Sequence, residues 1–244
     1  MSTVPAQTPS QQTPPFVPAE VELDYDKFIT EDDKPVDSIY AERQHRLLVD
    51  SLFASWQAPG GRPHLAATDV GLFYAVNEPA VAPDVMISMG VKPPLDGKPK
   101  KFRSYFVWLY GKSPEMTLEV VSNLEGGELT DKMDKYARIG VIYYVVWDPD
   151  CWLSKTPLQC FVLNGGKYVP CEPWFPLMEL GVTTWDGDYD GYPEHWLRFC
   201  DRAGRPLPTG IERARTAEQA VIAAEQHAAQ LAAKLRAAGI DPDV

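Results

Sequence analysis

An α/β or α+β domain built on a mixed sheet is what this sequence predicts, and three observations predict it. Segments with helical spacing alternate with segments dense in β-branched and aromatic residues, in the order helix, strands, helix, strand, hairpin. Hydrophobic residues make up 45% of 244 residues, with seven Trp and eleven Tyr, enough for one large packed core. No run of about 18 apolar residues occurs, so no membrane-spanning helix is expected.

Residues 1–22 are rich in Pro, Gln, Ser and Thr and are expected to be disordered. A helix is predicted from Ser38, a suitable N-cap, with Tyr40, Leu47, Leu48, Leu52 and Trp56 on one stripe; the PGGRP at 59–63 ends it. Residues 69–76 (DVGLFYAV), then APDVMISM, YFVWLY and MTLEVVS read as strands, and 90–104 reads as a loop with five basic residues. Glu128–Ile139 is predicted helical, with Leu129, Met133, Tyr136 and Ala137 on one side. IYYVVWDP is a strong strand. LQCFVLNGGKYVPCEP is a hairpin turning at Asn164-Gly165-Gly166, and further short strands end with WLRFCD. From Ile211 to Ala238, Ala214, Ala217, Val221, Ala224, Ala228, Leu231, Leu235 and Ala238 step by three and four, as a heptad seam does. That helix either packs on its own domain or joins two chains as a coiled coil. The expected division is 1–22 as a tail, 23–206 as the folded domain and 207–244 as a helical extension.

The net charge of −11 argues against a polybasic, non-specific nucleic-acid binder. Residues 1–37 carry eight acids against two lysines, more than half of that excess, so the folded part is nearer neutral and can present a local basic face. The start of the chain has neither the basic residues nor the apolar stretch of a secretory signal, which makes the cytoplasm the expected compartment. Cys151, Cys160, Cys171 and Cys200 form no CxxC pair and read as small core residues. No Walker loop, GxGxxG or GxSxG is present.

Glu119 is the residue out of place. It stands in the middle of an apolar strand, where a buried carboxylate needs a basic partner, a nest of donors or a metal ion. Asp84 opens the strand before it, where an acid serves either as a turn cap or as half of a hard-oxygen site. Lys132 lies on the helix that follows, with Tyr136 four residues on and Lys135 between them. It is either a solvated helix lysine or the partner of Glu119. Two acids, a divalent ion and a lysine would suit phosphodiester hydrolysis.

The ordered set APDV at 82–85, LEVVS at 118–122, Lys132 with Tyr136, and ARIGV followed by YVVWDP up to Pro149 resembles the Uma family. These are restriction-endonuclease-like proteins of the PD-(D/E)XK nuclease superfamily. The likeness runs from about His45 to Asp201, and the C-terminal extension is similar too. It implies a restriction-endonuclease-like fold: a four-stranded mixed core sheet flanked by helices, with extra hairpins and a C-terminal helix. It further implies DNA cleavage dependent on Mg²⁺ or Mn²⁺. Asp84 matches the family's PD aspartate and Glu119 its glutamate, both as metal ligands. The superfamily lysine usually lies two residues after that glutamate, where this chain has Val121; Lys132 matches the family's substitute, with Lys135 as alternate. His45 matches a frequent family histidine. Asn123 stands in place of a proline and Glu128 in place of an aspartate. The alternative is a nuclease fold that binds DNA or protein without cutting, and a homodimer through the C-terminal helix is a further expectation.

The run Lys98, Lys100, Lys101 and Arg103, beside Phe102 and Tyr105, is either a solvated loop or a DNA contact. Asp148-Pro149-Asp150 reads as a turn. DGDYDGY at 186–192 is similar to a Ca²⁺ loop but lacks the closing glutamate of an EF-hand.

Overall fold

The computed structural model of the protein describes residues 24, 27, 28, 38–92, 99–122 and 127–239. In chain order the elements are α1 (Ile39–Ser55), β1 (His64–Thr68), β2 (Leu72–Phe73), β3 (Val85–Met89), β4 (Tyr105–Phe106), α2 (Val107–Tyr110), β5 (Met116–Val120), α3 (Asp131–Ile139), β6 (Tyr143–Trp147), β7 (Leu158–Asn164), β8 (Lys167–Pro170), β9 (Trp174–Phe175), β10 (Leu180–Tyr189), β11 (Tyr192–Cys200) and α4 (Gly210–Ala237). The fold is α/β with a mixed sheet of six strands in the order β1-β3-β5-β6-β7-β8, two more than the family likeness implies. Within it β5 and β6 run parallel, and every other neighbouring pair is antiparallel. The connection from β5 to β6 is α3, the crossover helix that parallel strands require.

Alternation along the strands divides the core between the two sheet faces. Val85, Ile87, Met116, Leu118, Val120, Val145 and Trp147 pack under Leu48 and Leu52 of α1, under Trp56 just past its end and under the second sheet, β9–β10–β11. Met86, Val121, Tyr144 and Val146 pack under Tyr136 and Ile139 of α3 and under Leu72 and Tyr105. α1 begins where expected: Ser38 Oγ accepts the Ala41 N–H at 3.0 Å. Gly140, at φ 84°, ends α3 and turns the chain into β6.

Several elements differ from the sequence-based expectation. His64–Thr68 forms β1, an edge strand paired with β3, although two alanines give the segment little intrinsic strand preference. Of 69–76 only Leu72–Phe73 is strand, in a two-stranded parallel pair with β4 outside the main sheet, and Asp69 turns away at φ 54°. YFVWLY starts as β4 but coils into the helical turn α2, which Gly111 ends at φ 75°. The late short strands are one long hairpin, β10–β11. DGDYDGY is its tip, where Asp188 Oδ1 accepts the Gly191 N–H at 2.9 Å. Cys160 and Cys200 are buried as expected, whereas Cys151 is exposed at a turn.

Buried polar groups join the layers. Gln44 of α1 has no solvent exposure; its amide donates to the Leu197 carbonyl at 2.8 Å and accepts the Leu197 N–H at 2.9 Å. Arg198, 2% exposed, donates to both carboxylate oxygens of Glu212 at 2.9 and 2.7 Å and to the Leu207 carbonyl at 2.6 Å. Glu212 also closes a capping box with Thr209 at the start of α4. Past this anchorage no residue of α4 is buried, and Val221, Leu231 and Leu235 of the heptad seam are exposed. No helix among the described residues is long and apolar enough to cross a membrane.

The Gln44 bridge is testable. Gln44→Leu keeps the volume but leaves two buried backbone groups of Leu197 without partners, and denaturant unfolding should show a loss of roughly 2–4 kcal/mol. A loss of less than about 0.5 kcal/mol would mean that water or a neighbour replaces the amide.

Candidate functional site

The register of β3 against β5 sets Val85 opposite Leu118 and Met86 opposite Thr117. One step further it carries Asp84 level with Glu119, on the sheet face that α3 covers. Asp84 Oδ2 accepts the Val120 N–H at 2.6 Å, which ties the acid to the end of β5. Glu119 itself has no solvent exposure. Both of its oxygens are engaged by α3: Lys132 Nζ donates to Oε2 at 2.8 Å and the Tyr136 hydroxyl donates to Oε1 at 2.5 Å. Residues four apart lie on one helix face, so α3 presents both donors together.

Lys132 also donates to Glu128 Oε1 at 3.1 Å. Glu128 is 5% exposed, and its other oxygen, Oε2, is buried with no hydrogen-bond partner among the described residues. From α1, His45 reaches Asp69 (Nδ1 to Oδ2, 3.3 Å) and Asp84 (Nε2 to Oδ2, 3.7 Å). A cleft of about 460 Å³ opens beside His45 and Asp69, walled by Glu42, Val49, Phe53 and Thr68.

The electrostatics follow from crowding four carboxylates around one ammonium and one imidazole. Burial, then the charge of Asp84, lift the Glu119 carboxyl to about 8 against the pull of Lys132 and Tyr136. Burial works against the Lys132 ammonium, but Glu119, Glu128 and Asp84 outweigh it and raise its pKa. Burial likewise opposes the His45 imidazolium, and Asp69 with Asp84 prevail, raising it to about 9. The donors are hard oxygens, the kind that Mg²⁺ and Mn²⁺ take. No group of three or more His, Cys, Asp or Glu among the described residues is arranged to hold an ion alone.

Of the residues singled out in the sequence, Asp84, Glu119, Lys132, Tyr136 and His45 come together. Lys135 does not join them: it makes no ion pair with these acids among the described residues. It lies one position before Tyr136, about 100° around the helix from it. Lys98 lies outside the described residues. Lys100, Lys101 and Arg103 sit on the segment leading into β4, with the Lys101 ammonium 5.0 Å from the Phe102 ring centre. Glu128 and Asp69 were not singled out as site residues. Glu128 could have been found by its spacing, four residues before Lys132; Asp69 carries no signal, because its partner is distant in sequence.

The raised acid and the raised histidine give the metal-free protein a definite pH dependence. Each keeps a proton in the folded chain at pH values where the unfolded chain has lost it, so stability falls as pH rises. The Glu119 contribution is lost from 4.5 to about 8 and that of His45 from 6.5 to about 9. Thermal denaturation in EDTA should show a Tm that drops across this range, with a shallower drop at its lower end in Glu119→Gln. A Tm that climbs over the same interval would contradict the burial argument.

The sequence model of the Uma2 family, described as "Putative restriction endonuclease", matches residues 22–183. No curated protein matches the chain. The matched span covers well over half of the 244 residues and takes in every residue of the acidic cluster, and the chain belongs to the Uma2 family.

Proposed function

We propose that this site hydrolyses phosphodiester bonds of DNA with the help of a divalent cation, Mg²⁺ or Mn²⁺. The observation that carries the proposal is the union, on one sheet face, of Asp84, Glu119 and an ammonium 2.8 Å from Glu119. When all the groups are ionised, Asp69, Asp84, Glu119 and Glu128 exceed Lys132 and His45 by two negative charges, which a divalent cation would balance.

Asp84 and Glu119 would hold the ion, with substrate phosphate and water completing its shell. When bound, such an ion polarises a phosphoryl oxygen and lowers the pKa of water. Lys132 would steady the charge that grows on the phosphate or orient the attacking water. Tyr136 fixes the rotamer of Glu119, Glu128 holds the second donor direction of Lys132, and His45 steadies Asp84. Lys100, Lys101 and Arg103 would grip phosphates beside the site, which fixes the strand without reading its sequence.

The complete burial of Glu119, with both oxygens taken, favours a second reading in which the fold binds DNA but does not cut it. A plasmid and oligonucleotide cleavage assay in Mg²⁺ or Mn²⁺ separates the two. The wild type should nick or linearise DNA, EDTA should stop it, and Glu119→Ala and Lys132→Ala should each lower the rate roughly 100-fold or more. Equal activity in all three proteins would remove these residues from the reaction; binding without cleavage would leave the second reading.

A further inference from the structure

A separate cavity of about 260 Å³ lies against the edge strand β1, and the cleavage chemistry does not use it. Its floor includes Ala67 and Met86, which face each other across β1 and β3. Met86 is two residues from Asp84 on the same face of β3, a step of roughly 7 Å. Its walls are aromatic: Phe53, Phe102, Tyr105 and Tyr110, with the two tyrosine rings stacked 4.4 Å apart. Phe53, 62% exposed, also lines the cleft beside His45 and Asp69, so the two spaces meet at its ring.

One polar group in this wall is unexplained. Ser104 lines the cavity as a residue and is 3% exposed; its Oγ is buried behind the wall, on the Gly71 side, with no hydrogen-bond partner among the described residues. Buried hydroxyls are almost always satisfied, and a turn of the Ser104 side chain would offer this orphan to a polar ligand edge in the cavity. The same segment carries Lys100, Lys101 and Arg103, and Arg103 reaches the cavity wall.

A cavity with aromatic walls, a buried orphan hydroxyl behind one wall and adjacent cationic side chains matches one ligand class. A nucleobase has π-faces for the rings, a hydrogen-bonding edge for the hydroxyl and a phosphate on either side for the cations. We propose that this cavity receives one unstacked nucleobase of the DNA strand, flanking the phosphate held at Asp84 and Glu119; the proposal rests on the nuclease reading above. Its consequence is a preference for DNA in which a base is already unpaired, because the cost of extracting it from the stack is then met in advance.

The test uses the full-length Glu119→Gln protein, so that cleavage does not deplete the probe. Fluorescence anisotropy in Mg²⁺ compares a matched duplex with the same duplex carrying one mismatch or bulge. The expected result is roughly 10-fold tighter binding to the interrupted duplex. A 2-aminopurine at the unpaired site should change its fluorescence in step with binding. Adding Ala67→Leu, which fills the floor, should abolish both effects while matched-duplex binding persists. Ser104→Ala, which removes the orphan hydroxyl with little change in volume, serves if the larger side chain prevents folding, and should reduce the preference. Equal affinity for both duplexes with silent 2-aminopurine would overturn the base pocket and leave the nuclease reading intact. No binding to either duplex would overturn the DNA reading itself, and the pocket with it.

Discussion

The interaction on which the rest of the site depends is the enclosure of one carboxylate. Glu119 stands in the middle of the sheet with no contact with water, where an isolated charge would be very costly. Two donors from a single helix face, Lys132 and Tyr136, meet its two oxygens. That arrangement dictates where α3 must sit and how it must be rotated. It also explains why α3 bridges two parallel strands: the crossover lays the helix over the face that carries the acid. A buried carboxyl held in this way is weak support for stability, and its two donors fix its geometry. The surplus of acids in the cluster points the same way, since a structure built for stability alone would gain by replacing them with apolar groups.

Asp84 is held from two sides, by the Val120 N–H of the neighbouring strand and by His45 from α1. The helix on one sheet face and the helix on the other therefore converge on two adjacent strand ends. The sheet supplies the spacing between the acids, and the helices supply the groups that orient them. Such a site resists small displacements, because every acid side chain is tied to an element packed in one of the two cores.

Much of this was legible in the sequence because the key residues break a local pattern. Glu119 interrupts an apolar strand, Asp84 follows a proline at a strand start, and Lys132 and Tyr136 share a helical face. The seam and N-cap of α1 and the Asn164-Gly165-Gly166 turn followed from spacing and turn chemistry alone. The remaining features have no local signature. β1 is a strand because β3 offers it an edge, not because alanines prefer one. Asp69 joins the site because a left-handed turn aims it at a helix 24 residues earlier in the chain. The coil of Val107–Tyr110 escaped for the opposite reason: its composition is that of a strand, and tertiary packing overrides it.

Glu212 serves two masters at the root of α4, closing the helix N-terminus and receiving the guanidinium of Arg198. Starting a helix is its costly step, and the capping box at Thr209 and Glu212 offsets part of that cost. Initiation and attachment thus share one carboxylate, so losing it would weaken both the first turn of α4 and its hold on β11.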